Sequence, residues 1–290
     1  MREKIKAYIA ILARLCKFRI SQAVALTTFT GYLMSHGEFS RGIIFPVFGV
    51  FLLASAASAL NQVQEVKTDL LMPRTKNRPI PTGQITIREA LFWVLLFSLS
   101  GIFILWFFDG WIAAFLGALT FVWYNGIYTP LKRISAFAAV PGGVVGALPP
   151  IIGWVAGGGS LFDPAAIALA MFFFIGQVPH FWILLLRFGE QYELAGLKSL
   201  TAELSHQQIR RLTFIWIAAT SVSAFLLPGF YAFNHKITAY FIWALSIILI
   251  LVFIRLLKPS LQSVKFSSSF LLINLYYFLI MLVFSLDVLI

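Results

Sequence analysis

Asn61, Glu65 and Asp69 stand four residues apart in the stretch NQVQEVKTDLLMPRTKNRPIPTG, residues 61–83. Residues at that spacing lie one above another on a helix, so a helix reaching Asp69 turns two carboxylates and an amide to one side. Just beyond come Arg74, Lys76 and Arg78, set among Pro73, Pro79 and Pro81, which end the helix and fold the chain back. Hard divalent cations such as magnesium take one or two carboxylates together with substrate phosphate oxygens, while Arg and Lys meet the remaining phosphate charge. The stretch reads as a metal-diphosphate site. A basic loop at a membrane border, its charge moderated by two acids, fits the same residues.

Acids recur in RFGEQYELAGLKSLTAELSH (187–206) as Glu190, Glu193 and Glu203, and a cluster facing the first one would offer a second set of metal oxygens. A solvated loop is the competing reading, most of all for Glu203. Between the clusters, YNGIYTPLKR (124–133) supplies Asn125, Tyr128, Lys132 and Arg133. Asn125 at membrane depth needs a partner, either a neighbouring helix or a substrate. His180, in QVPHFW, is an expensive residue inside a membrane and is either functional or a hydrogen-bonded packing histidine.

These residues need elements to hold them, and composition says what kind. Of 290 residues, 60% are hydrophobic and only 11% charged, with a mean hydropathy of +0.90, far too little charge for a soluble surface. The chain is an integral membrane protein, and its single Cys16 excludes an internal disulfide framework. Nine apolar runs are long enough to cross a bilayer, near 19–36, 42–64, 88–108, 111–128, 136–157, 164–186, 207–228, 237–256 and 268–288. Residues 1–18 carry basic residues throughout and show no cleavage site, which suits an amphipathic helix on the cytoplasmic membrane surface.

With the N-terminus inside and the C-terminus outside, every basic residue except Arg41 and Lys236 falls in an inner segment, as short cytoplasmic loops require. That accounts for the net charge of +11 without nucleic acid. Thr86 with Glu89 and Ser205 with Gln208 fit the capping-box pattern and mark the starts of spans three and seven. Glu38, Asp109, Asp163 and Asp287 lie singly in the outer connections and read as solvated loop residues. Span five, with Gly142, Gly143, Gly146 and Gly153 around Pro149 and Pro150, suits close helix approach and a cavity wall.

The pattern N-x3-E-x3-D-x2-M-x-R-T-x2-R-P from Asn61 to Pro79 resembles the first acidic motif of the UbiA superfamily of intramembrane prenyltransferases. Further pieces follow in order: Tyr128-Thr129, Leu131-Lys132-Arg133, GALPPIIGW from Gly146 to Trp154, Pro179-His180-Phe181-Trp182, and Tyr192 with Ala195-Gly196. In detail they resemble the branch that farnesylates protoheme IX. The chain departs from that branch with Glu65 in place of Asp, with Glu190-Gln191-Tyr192 in place of Asp-Asp-Tyr, and with Leu197-Lys198-Ser199 in place of Ile-Pro-Met. The second cluster is thereby one carboxylate poorer.

The resemblance implies one all-α domain over 1–290, a nine-helix bundle whose cavity opens at the cytoplasmic side of the plasma (inner) membrane. It implies magnesium on Asn61, Glu65, Asp69 and Glu190, with the diphosphate of farnesyl diphosphate on Arg74, Lys76, Arg78, Lys132 and Arg133. The acceptor would be heme b, met by Asn125, Tyr128, His180 and Tyr192. Its partners would be the lipid bilayer and heme A synthase or the terminal-oxidase assembly machinery. Prenylation of a quinone precursor or a chlorin, a non-catalytic heme-handling role, and ion transport along the clustered acids are the rival readings. The gathering of charge at the inner border rather than at mid-membrane favours diphosphate chemistry over transport.

Overall fold

The computed structural model describes residues 2–257 and 266–290, and among these it contains helices and no strand. In chain order the helices are α1 (Arg2–Leu15), α2 (Phe18–His36), α3 (Ile44–Gln64), α4 (Val66–Leu71), α5 (Ile87–Asp109), α6 (Trp111–Val122) and α7 (Thr129–Leu131). They continue with α8 (Ala139–Gly142), α9 (Val144–Ala156), α10 (Pro164–Leu194), α11 (Leu200–Glu203), α12 (His206–Leu226), α13 (Lys236–Phe253) and α14 (Phe266–Leu289). A π-helical turn, Trp123–Tyr128, joins α6 to α7. Lys258 and Lys265, counted above among the inner basic residues, lie outside the described residues.

Eight helical stretches among the described residues are long and apolar enough to cross a membrane: Arg41–Gln64, Ile87–Asp109, Trp111–Leu131, Ala139–Ala156, Pro164–Leu194, His206–Gly229, Lys236–Leu257 and Ser268–Leu289. The run expected first, 19–36, is the 19-residue helix α2, which is not among them. Its lower apolarity has a visible cause. Ser21, Thr28 and Thr30 are buried against neighbours rather than turned outward, and Thr28 Oγ1 donates to the Pro149 carbonyl at 3.0 Å.

That bond belongs to a helix crossing close enough to bring backbones together. A Cβ on Gly31 would stand 1.9 Å from the Pro150 carbonyl oxygen, and one on Gly153 would stand 1.9 Å from that of Thr28. Only hydrogen fits at either position, so α2 and α9 meet backbone to backbone. On its other side α9 lines a cavity through Val145, Gly146, Pro149 and Ile152, as its glycines and prolines anticipate.

Both capping boxes form: Thr86 Oγ1 accepts from Glu89 N at 3.2 Å while Glu89 Oε2 accepts from Thr86 N at 2.8 Å, and Ser205 pairs with Gln208 in the same way. Two outer acids, however, are more than solvated loop residues. Asp287 is buried and accepts from the backbone of Asn234 and His235 and from Thr238 Oγ1, tying the start of α13 to the end of α14. Asp163 accepts from Trp154 Nε1 at 3.0 Å and from Ser160 N at 2.8 Å. Each satisfies donors that the loop geometry would otherwise leave unpaired.

Helix α1 is exposed along most of its length, but Leu12, Leu15 and the adjoining Cys16 are buried with Ile80, Ile85, Ala90 and Val94. The amphipathic segment thus clamps the loop that follows Asp69 against α5.

Candidate functional site

The ends of α3, α7 and α10 meet the start of α2 around a cavity of about 1030 Å³. It runs from the charged residues at these ends down to Val50, Gly117, Phe173 and Met281 in the middle of the bundle. Helix α3 is interrupted at Glu65, yet Glu65 N donates to Asn61 O at 3.0 Å and Asp69 N to Glu65 O at 2.8 Å. Helical spacing therefore carries through the break, and Asn61, Glu65 and Asp69 all line the cavity while being almost wholly shielded from solvent.

Each of the three side chains holds a cation. Lys17 Nζ donates to Asn61 Oδ1 at 3.0 Å, Lys132 Nζ to Glu65 Oε1, and Arg78 Nη1 to both carboxylate oxygens of Asp69 at 2.7 Å. The loop after α4 folds back as its prolines require, with Arg78 N donating to Thr75 O and Thr75 Oγ1 to Asp69 O. Arg74 is steered by the second acidic stretch. Its backbone N donates to Gln191 Oε1 at 3.3 Å, its Nη2 to the Tyr192 hydroxyl at 3.2 Å, and its guanidinium lies 4.9 Å from the Phe188 ring.

Electrostatics follow from this crowding. Burial favours the neutral Glu65 carboxyl, but the Lys132 ammonium, its hydrogen bond, and then Lys17 and Arg78 outweigh that and hold the group below its ordinary pKa. Lys17 is pushed down to about 7, first by burial and then by Arg78 and Lys132, against the opposing pull of Glu65 and Asp69. Lys17 is also the one non-glycine residue among those described with a positive φ, 47°, a conformation that costs energy and marks constrained positions.

Of the residues expected at the site, Asn61, Glu65, Asp69, Arg74, Arg78, Tyr128, Lys132, His180 and Tyr192 line the cavity. Four do not. Lys76 is exposed on the far side of its turn. Arg133 is exposed and donates to the Gln64 carbonyl at 2.9 Å. Asn125 is buried in the π-helical turn, where its Nδ2 donates to Phe121 O and its backbone carbonyl accepts from Gln64 Nε2. Glu190 is exposed, because α10 runs two turns past its expected end at 186 and turns that carboxylate away. The carboxylates of the two acidic stretches consequently do not face each other across the cavity; Glu193 instead accepts from Thr201 Oγ1 at 2.5 Å.

Sequence reasoning missed Lys17, Asn77, Gln177, Lys198 and Asn274, all of which line the cavity. Lys17 stands where the amphipathic segment meets the first apolar run, a place that gives a lone lysine some prominence, but its partner Asn61 is 44 residues away.

The chain matches the UbiA prenyltransferase family over residues 24–282. It belongs to that family. Among curated UbiA relatives, it is 38% identical over 216 residues to the protoheme IX farnesyltransferase of Oleidesulfovibrio alaskensis, covering 74% of this chain and 76% of the relative. It is 40% identical over 182 residues to the protein of the same name in Geobacter sulfurreducens, 63% of this chain and 67% of the relative. Solved UbiA-type structures share its fold: a digeranylgeranylglyceryl phosphate synthase superposes with a TM-score of 0.77 at 16% identity, covering 97% of this chain and 98% of that one. A UbiA homologue from Archaeoglobus fulgidus, bound to GPP and Mg2+, gives 0.71 at 14% identity over 96% and 99% of the two chains. The protein is a multi-pass membrane prenyltransferase of this family.

Among the described residues no three His, Cys, Asp or Glu side chains converge to hold a metal by themselves. Two buried carboxylates and an amide oxygen on one cavity wall do fit a magnesium ion that completes its shell with phosphate oxygens and water.

Proposed function

We propose that the protein transfers a farnesyl group from farnesyl diphosphate to a vinyl group of protoheme IX. The observation that carries this reading is a single cavity whose charged end holds paired carboxylates and cations and whose interior is apolar and aromatic, in a chain whose curated relatives bear that activity in their names. Asn61, Glu65 and Asp69 would hold a magnesium ion, which draws off the negative charge that builds on the departing diphosphate. Arg74, Arg78, Lys132 and Lys17 take up the phosphate oxygens that the metal leaves free. Lys76, Arg133, Asn125 and Glu190 have no part in this reading.

As the C1–O bond of the farnesyl group breaks, its electron pair leaves with the diphosphate and an allylic cation remains. The vinyl π pair then bonds to C1, and water adds to the resulting cation and loses a proton, giving a hydroxyethyl-farnesyl side chain. Phe173, Phe181, Tyr128 and Phe270 wall the interior and keep water from the first cation.

Helix α2 is read as a ninth crossing, with the N-terminus cytoplasmic and the C-terminus outside in the plasma (inner) membrane, supported by the distribution of basic residues. Contact with heme A synthase or the terminal-oxidase assembly machinery belongs to the same reading, since those would receive the product. Incubation of purified protein with heme b, farnesyl diphosphate and magnesium, followed by mass spectrometry of the extracted heme, tests the reading. The heme should gain one farnesyl group and one hydroxyl group. Unmodified heme there, with prenylation of a quinone precursor supplied in a parallel incubation, would assign another acceptor.

A further inference from the structure

We propose that His180 is an axial ligand to the iron of the porphyrin substrate. The inference rests on protoheme IX being the acceptor and adds how it is held. Of the four histidines, only His180 lines the cavity. His36 Nδ1 lies 3.2 Å from the Gly157 carbonyl, while His206 and His235 are exposed at the starts of α12 and α13. The His180 imidazole has no hydrogen-bond partner among the described residues; its neighbours include two aromatic rings, Phe270 at 4.7 Å and Phe181 at 5.9 Å. A polar ring inside a membrane protein that is satisfied by nothing around it, and that faces a cavity, is suited to a ligand. Neutral imidazole is a common axial ligand to heme iron.

Position supports the same assignment. The Phe181 ring lies 5.4 Å from the Tyr128 ring, and Lys132 Nζ lies 5.2 Å from the Tyr128 ring while bonding to Glu65. A short chain of side chains thus separates His180 from the carboxylate end, a gap that the flat body of a porphyrin can span. Coordination at the centre of the ring fixes where its edge stands, and holding a vinyl group beside the cleaving bond is where positioning gains most. Pro179 adds a local reason: it cannot donate to the Ile175 carbonyl, so the backbone of α10 is loosened immediately before His180.

The test is a titration of the detergent-solubilised full chain with ferric heme b, followed by its Soret band and electron paramagnetic resonance. The wild type should give a histidine-ligated spectrum. His180→Ala and His180→Gln should lose it and bind heme at least about tenfold more weakly, and added imidazole should restore the spectrum of His180→Ala. Iron-free protoporphyrin IX should bind wild type and variants alike, and farnesyl diphosphate binding, unaffected, reports that the variants are folded. An unchanged heme spectrum in the variants, or protoporphyrin weakened as much as heme, overturns the ligation and leaves the acceptor reading intact. A wild type that binds farnesyl diphosphate but no heme overturns both.

Discussion

Lys132 and Glu65, 67 residues apart, form an ion pair in the wall of the cavity, with side chains only 15% and 8% exposed. Arg78 pairs with Asp69 and Lys17 hydrogen-bonds to Asn61, so every side chain fit to bind a metal already has a basic partner. A metal ion arriving alone must displace those cations with nowhere to send them. A diphosphate offers them new oxygens. Metal and diphosphate should therefore bind with positive coupling, and coupling of this kind is reciprocal and commonly about 5 to 150-fold. Calorimetric titration of magnesium with and without a non-cleavable farnesyl diphosphate analogue should show that tightening; equal affinities in the two titrations would mean the cations do not change partners.

The same ion pair allows its structural and chemical roles to be separated. Glu65→Gln alone leaves a buried ammonium uncompensated and should cost about 3–5 kcal/mol of stability along with activity. Lys132→Met in the same chain removes the stranded charge, so the double variant should recover most of the thermal stability and none of the turnover. Recovered activity in the double variant would show that Glu65 is not needed as a ligand.

Arg78 bonds both oxygens of Asp69, and its fork is what would let it bridge two phosphate oxygens in turn. Arg78→Lys keeps the charge and loses the fork. Both Arg78→Lys and Arg78→Ala should weaken farnesyl diphosphate binding, the latter by about tenfold or more, the worth of a charged hydrogen bond. Equilibrium binding of a labelled diphosphate checks this, and a Lys variant equal to wild type would reduce Arg78 to a point charge.

The parts of this site that were legible in the sequence are those set by local spacing. Asn61, Glu65 and Asp69 share a face because four-residue spacing survives the helix break, and the two capping boxes needed only four consecutive positions each. What the sequence hid depends on where distant segments land. Lys17 meets Asn61 only because α1 folds onto the loop around Ile80 and Ile85. Glu190 looked like a metal ligand by position in its motif, but two further turns of α10 point it away, and Gln191 and Tyr192 serve to hold Arg74 instead. Asp287 looked like a solvated residue because the donors it satisfies lie about 50 residues earlier in the chain.

The α2–α9 crossing places a cavity wall under a packing constraint that can be tested without any substrate. A methyl group on Gly153 would meet the backbone carbonyl of Thr28, which has no flexible side-chain end to move aside, and would also sever the approach that lets Thr28 reach Pro149. Overpacking of this kind costs about 1–3 kcal/mol and sometimes more. Gly153→Ala should lower the thermal midpoint of the solubilised protein by several degrees and shrink heme and farnesyl diphosphate binding together, because α9 carries Pro149 and Ile152 into the cavity. Gly229→Ala, where a methyl group meets nothing within 4 Å, provides the comparison and should leave the midpoint unchanged. Equal midpoints for the two variants would mean that α2 and α9 are not in backbone contact.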